Sequence, residues 1–139
     1  MAYNVLIVDD SATMRALIRK ILKMSGFDVG EYFEGANGHE ALEVLEKNWV
    51  DLILSDIHMP VMDGAALVQA VRSHQLWRSI PVVMITTEGR QEVMKSFLQQ
   101  GVQGYIQKPF KPETIKDKLA GILGDTSEER IGELESCDF

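Results

Sequence analysis

A doubly wound α/β domain, its parallel sheet covered by helices on both faces, is the fold this sequence predicts. Three observations point there. Five short apolar runs alternate with five stretches of helical periodicity. The first, third and fourth runs are apolar almost throughout, as strands buried on both faces are, while residues 28–33 carry a weaker strand signal. The residues just after four of the five runs are polar and chemically complementary.

Each element has a local reason. Val5-Leu-Ile-Val8 is a β-branched-rich run that ends in Asp9-Asp10. Ser11 then caps a helix whose stripe is Met14, Leu17, Ile18, Ile21 and Leu22, and Gly26 is placed to end it. Residues 28–33 form the second strand. Asn37-Gly38 precedes a helix carrying Ala41, Leu42 and Leu45, and Trp49-Val50 lead into the third strand, Leu52-Ile53-Leu54. That strand delivers Asp56, after which Met59-Pro60 turns the chain and Asp63-Gly64 punctuates the loop. Leu67, Val68 and Val71 mark the third helix. Pro81-Val-Val-Met-Ile85 is the fourth strand, ending in Thr86-Thr87. Val93, Met94, Phe97 and Leu98 give the fourth helix, stopped by Gly101. Gly104-Tyr-Ile-Gln107 is the fifth strand, followed by Lys108-Pro109, and Pro112 opens a last helix with Ile115, Leu119, Ile122 and Leu123. Met14, Met94 and Phe97 lie on apolar stripes and are read as core.

Composition narrows the function. With 139 residues and 45% hydrophobic content, the chain supports one domain with one substantial core. No run approaches the roughly 18 apolar residues of a membrane span, and the N-terminus lacks a signal-peptide pattern. The lone Cys137 excludes an internal disulfide or a cysteine-built zinc site, so a cytoplasmic protein is expected. A net charge of −7 argues against nonspecific nucleic-acid binding. Most of that charge falls in residues 125–139, whose six acids and one base leave −2 for residues 1–124. The expected organisation is therefore a domain over 1–124 and an acidic tail over 125–139. Such a tail is usually a solvated terminus, although Ile131, Leu134 and Phe139 also suit a docking peptide.

Parallel strands present their carboxyl ends at one edge, where open α/β sheets bind ligands. Here those ends carry Asp9-Asp10, Asp56, Thr86-Thr87 and Lys108. Singly, Asp9 and Ser11 could cap a helix, and Asp56 could be an ordinary turn aspartate. Together they suggest more. Clustered carboxylates repel one another, and an all-oxygen site suits Mg²⁺. An aspartate can act as a nucleophile toward a phosphoryl group, and phosphoryl transfer chiefly needs positioning and charge neutralisation. Mg²⁺ and the Lys108 ammonium would neutralise charge, and the Thr86 hydroxyl would donate to a phosphoryl oxygen.

Val8-Asp-Asp-Ser11, Ser55-Asp-Ile-His-Met-Pro-Val-Met-Asp-Gly64, Ile85-Thr-Thr87 and Gly104-Tyr-Ile-Gln-Lys-Pro-Phe110 resemble the response-regulator receiver domain, in particular its stand-alone chemotaxis (CheY-like) type. The resemblance covers residues 3–124. It implies the flavodoxin-like strand order 2-1-3-4-5, which is the known order of that family. It also implies that Asp56 is the phosphoacceptor and that Asp10, Asp9 through water, Asp56 and the His58 backbone carbonyl hold Mg²⁺. Lys108 would pair with the phosphoryl group, Thr86 would shift toward it, and the Tyr105 rotamer would report the state. Tyr105 could also be a plain core aromatic with its hydroxyl at the surface. A cis Lys108-Pro109 bond is implied as well.

His58 and Glu88 occupy the positions that flank the attacking water in relatives, and Thr87, bulkier than the residue common there, would narrow access to Asp56. His39 and His74 are expected to face solvent without a role. The implied function is that of a monomeric response regulator, phosphorylated by a CheA-like histidine kinase, whose changed surface binds a protein such as a flagellar motor switch or a phosphatase. The alternative is a phosphorelay intermediate or phosphate sink passing the group between histidines. A turnover enzyme is not expected. A metal-dependent phosphatase would want a second acid where His58 stands, and the chain has no GxxxxGK loop. The tail is too short for a DNA-binding output domain.

Overall fold

The computed structural model describes residues 2–123. The elements alternate strictly: β1 (Tyr3–Val8), α1 (Ala12–Ser25), β2 (Val29–Gly35), α2 (Gly38–Lys47), β3 (Leu52–Ser55), α3 (Gly64–Ser73), β4 (Val82–Thr86), α4 (Gln91–Gln99), β5 (Gly104–Gln107) and α5 (Pro112–Leu123). All four strand pairings are parallel, and the sheet order is β2-β1-β3-β4-β5. The expected fold class and order are therefore the observed ones. The acidic segment 125–139, with the docking reading of Ile131, Leu134 and Phe139, lies outside the described residues. No helix among the described residues is long and apolar enough to cross a membrane.

Strand periodicity divides the core into two layers. In β1, Leu6 and Val8 join the layer beneath α2, α3 and α4, whereas Val5 and Ile7 join the layer beneath α1 and α5. The same alternation separates Ile53 from Leu52 and Leu54, Val82 and Met84 from Val83 and Ile85, and Tyr105 from Ile106. Successive strand side chains point to opposite faces, so a strand buried on both sides is apolar nearly throughout. Ser55 and Thr86 are buried polar residues at the carboxyl ends of β3 and β4. Phe97 is buried, while Met14 and Met94 are partly buried and pack against the two layers.

Helix ends follow the expected chemistry. Ser11 caps α1 by accepting from Met14 N, Asn37 caps α2 from Glu40 N, and Asp63 caps α3 from Ala66 N. Gly26 closes α1 with φ 82°, a left-handed conformation that glycine adopts freely.

Several expectations need correction. The second strand is Val29–Gly35 rather than 28–33, because its pairing with β1 continues until Gly35 meets Val8. The fourth strand is Val82–Thr86, so Thr86 belongs to the strand; Pro81, lacking an N–H, contributes only its carbonyl, to Ile53 N. Leu17 and Leu98 sit on the apolar stripes yet remain 44% and 50% exposed. His74 is not idle: it is half-buried, stacks on Trp77 with ring centroids 3.6 Å apart, and accepts from Leu76 N through Nδ1. His39 is exposed, 3.6 Å from Glu43 one helical turn away.

Candidate functional site

Backbone register assembles the site before any side chain is considered. Val8 pairs with Ser55, and Asp56 N donates to Val8 O at 2.9 Å, which sets Asp9 and Asp56 on neighbouring strand ends. Thr86 pairs with Gln107, and Lys108 N donates to Thr86 O at 2.8 Å. The Lys108–Pro109 bond is cis, as the resemblance implies.

At this edge Asp9, Asp10 and Asp56 bring carboxylate oxygens within 4.8 Å of one another. Asp9 is only 2% exposed. Lys108 Nζ donates to Asp9 Oδ2 at 2.8 Å and to Asp56 Oδ2 at 3.4 Å. The other oxygens are held by the backbone: Ser11 N reaches Asp9 Oδ1 at 2.9 Å, and Ile57 N reaches Asp56 Oδ1 at 2.7 Å. One ammonium thus faces three carboxylates, leaving an excess of negative charge. Three oxygen donors at this spacing suit a hard divalent cation that tolerates oxygen ligands alone, so the residues present fit Mg²⁺.

A second cluster forms across the β3–α3 and β4–α4 loops. Glu88 is its hub. Its N–H donates to Thr86 Oγ1 at 3.2 Å, and its carbonyl accepts from the Tyr105 hydroxyl at 2.7 Å. Its carboxylate accepts from Arg90 Nε at 2.7 Å, Arg90 Nη2 at 3.0 Å and Arg90 N at 3.1 Å, and lies 3.5 Å from His58 Nε2. The Arg90 hydrogen bonds hold the Glu88 carboxyl down at about 2, well below its ordinary value, with a smaller contribution from His58. Burial, reinforced by the charges of Glu88 and Asp56, pushes the Tyr105 phenol up to about 12. Tyr105 therefore remains a neutral donor, and its hydroxyl is bonded within the site rather than left at the surface.

The structure therefore brings Asp9, Asp10, Asp56 and Lys108 into one cluster, and Thr86, Glu88, His58 and Tyr105 into another beside it. Thr87 is exposed, its carbonyl accepting from Gln107 Nε2 at 3.5 Å. The His58 imidazole lies 3.5 Å from the Glu88 carboxylate. Sequence reasoning missed Arg90, and also Ser55, whose buried hydroxyl donates to Asp56 O at 2.8 Å. Nothing in the spacing of Glu88 and Arg90 signals a bidentate pair.

The loop after Asp56 is strained at one residue. Val61 has φ 67°, and Met62 N donates to Pro60 O at 2.6 Å, closing a three-residue turn around it. A β-branched side chain disfavours that conformation, and Val61, 85% exposed, gains little from packing. Val61→Gly is expected to stabilise the domain by about 1 kcal/mol, net of glycine's greater freedom in the unfolded chain. A higher urea midpoint at unchanged m-value is the readout; a lower midpoint would show that the turn carries no strain.

The fold and this edge define a doubly wound α/β domain with an acidic cluster and a lysine at its switch point. The Response regulator receiver domain family matches residues 5–120, and the chain belongs to that family. It is similar to a chemotaxis protein CheY homolog of Campylobacter jejuni, at 40% identity over 94% of this chain and 99% of that protein. It also resembles the solved chemotaxis protein CheY4 of Vibrio cholerae, with 36% identity, a TM-score of 0.78, and coverage of 88% of this chain and 99% of that one. A third likeness is to the CheX–CheY–BeF3–Mg²⁺ complex of Borrelia burgdorferi, at 27% identity and a TM-score of 0.77, covering 87% and 89% of the two chains. The chain is thus a CheY-like receiver domain, a signalling phosphoacceptor rather than a turnover enzyme.

Proposed function

We propose that the chain is a response regulator of a chemotaxis-type two-component pathway, phosphorylated on Asp56 by a histidine kinase in the cytoplasm and read out by phosphorylation-dependent protein binding. In this reading the receiver domain spans residues 1–124 and residues 125–139 are an appended tail. The observation that carries it is the convergence of Asp9, Asp10, Asp56 and Lys108 at one strand edge.

An Asp56 carboxylate oxygen attacks the phosphorus of a phosphohistidine. The new P–O bond forms as the P–N bond breaks, and the imidazole nitrogen leaves with the bonding pair and takes up a proton. Asp9, Asp10, Asp56 and the His58 backbone carbonyl would hold Mg²⁺. When bound, that cation neutralises carboxylate and phosphoryl charge. Lys108, already 3.4 Å from Asp56 Oδ2, pairs with the incoming phosphoryl group. Phosphorylation adds about −1.5 to −2 charge and new acceptor oxygens. Thr86 then exchanges its acceptor role toward Glu88 N for donation to a phosphoryl oxygen, which loosens the loop that Tyr105 anchors through the Glu88 carbonyl. The reshaped surface around α4, β5 and α5 binds the target, such as a motor switch protein or a phosphatase. The names of the relatives support this output over a phosphorelay role.

The test is intact-protein mass after incubation with acetyl phosphate, in Mg²⁺ and in EDTA, for wild type and Asp56→Asn. We expect one phosphoryl group per chain, dependent on Mg²⁺ and absent from Asp56→Asn. No added mass, together with no beryllofluoride binding, would overturn the reading.

A further inference from the structure

We infer that Arg90 is a positioning residue that latches the Glu88 carboxylate and thereby prolongs the life of the phosphorylated state. The inference rests on the function proposed above and extends it to a residue outside the family motifs quoted from the sequence.

A carboxylate offers about four lone-pair sites. In Glu88, Oε2 accepts from Arg90 Nε and Arg90 N, while Oε1 accepts from Arg90 Nη2 and faces His58 Nε2 at 3.5 Å. Three of those sites are taken by Arg90, and the fourth is only approached by His58. The Glu88 side chain is only 9% exposed, so solvent has little access to what remains. Arg90 is free to make this contact because it stands at the N-cap of α4 without a side-chain capping bond, and its guanidinium turns back over the loop. The planar fork meets the carboxylate with two N–H groups, a geometry a point charge cannot reproduce.

Loss of the phosphoryl group requires a water at the mouth of the Asp56 site. The water oxygen bonds to phosphorus as the P–O bond to Asp56 breaks. Asp56 leaves as a carboxylate with the bonding pair, and the water's proton passes to phosphate or to solvent. A carboxylate with a free lone pair at this mouth would accept a hydrogen bond from that water and orient it. Glu88 stands two residues after Thr86, and the Arg90 bonds to its carboxylate do not involve the Thr86 contact that phosphorylation releases. Its carboxylate is withheld by Arg90. His58, on the opposite loop, brings Nε2 to 3.5 Å from Glu88 Oε1.

The experiment follows decay of the phosphorylated protein at 25 °C, after removal of acetyl phosphate, by intact mass. It uses wild type, Arg90→Ala, Arg90→Lys, Glu88→Gln and the Arg90→Ala/Glu88→Gln pair. Arg90→Ala should shorten the half-life roughly two- to five-fold, the scale of an exposed ion pair. Arg90→Lys, which keeps the charge but loses the fork, should fall between wild type and Arg90→Ala. The acceleration should vanish in the double variant, because the freed group is no longer an anion. A half-life unchanged or lengthened in Arg90→Ala, or an equal acceleration in the double variant, would overturn the latch. Failure of wild type to gain a phosphoryl group would instead count against the proposed function.

Discussion

In EDTA, Asp56→Asn should melt above wild type by about 3–8 °C, and saturating Mg²⁺ should close or reverse the difference. Two unit charges at the 4.8 Å that bounds the acidic trio repel by about 3 kcal/mol at an effective dielectric of about 20. Lys108 offsets part of this by donating to both Asp9 and Asp56. It supplies one positive charge to three negative ones. Removing the charge of Asp56 relieves two repulsions and forfeits one attraction at 3.4 Å, for a net gain of about 1–2 kcal/mol in a domain of this size. Wild type should recover the difference when a cation binds, since a ligand at a hundred times its dissociation constant contributes about 2.7 kcal/mol. Lys108→Met should behave in the opposite sense, losing stability in EDTA and gaining more than wild type from Mg²⁺. Thermal melts of the three proteins, with and without Mg²⁺, decide the matter. A lower melting temperature for Asp56→Asn in EDTA would show that the Lys108 contact outweighs the repulsion, and that the site does not exchange stability for cation binding.

The strand ends were legible because periodicity and chemistry coincided there. A short β-branched apolar run bounded by turn residues fits a strand buried on both faces, and the residue following it then emerges at the carboxyl edge. That logic placed Asp9, Asp56 and Lys108 without a structure. It placed Thr86 one residue too late, since a threonine that ends a strand and one that follows it look alike in sequence. The helix stripes were legible in phase but not in width: Leu17 and Leu98 keep the right spacing and still remain half in solvent. Arg90 was invisible for a different reason. Its significance lies in a contact two residues back along a loop, and loop geometry is set by the surrounding fold. His74 was misjudged for the same reason, because its stack on Trp77 depends on how the chain turns after α3. Asp63-Gly64 was read correctly as punctuation, but the physical demand on Gly64 is stronger than a turn.

Gly64→Ala should be the most damaging small substitution near the site. Gly64 is the first residue of α3, and its N–H donates to Ile57 O at 2.8 Å, drawing the loop from Ile57 to Asp63 into a closed course. A β-carbon there would fall on the Asp56 carbonyl oxygen, 2.9 Å from Ile57 Cα and 3.0 Å from the Met84 methyl. The methyl can move. The first two atoms are backbone and cannot yield without displacing the residue that carries the nucleophilic carboxylate. Overpacking of this kind destabilises by about 1–3 kcal/mol, and a clash with backbone belongs at the upper end. The same displacement would lengthen the contacts of Asp56 with Ile57 N and Lys108, so phosphorylation should slow even in molecules that remain folded. Urea denaturation measures the first effect, and the initial rate of mass gain from acetyl phosphate, corrected for the folded fraction, measures the second. Gly121→Ala is the control: nothing lies within 4 Å of its added β-carbon in α5, and alanine favours a helix by about 1 kcal/mol over glycine. If Gly64→Ala retained wild-type stability and phosphorylation rate, the close approach of α3 to the Asp56 loop would not be what holds the nucleophile in place.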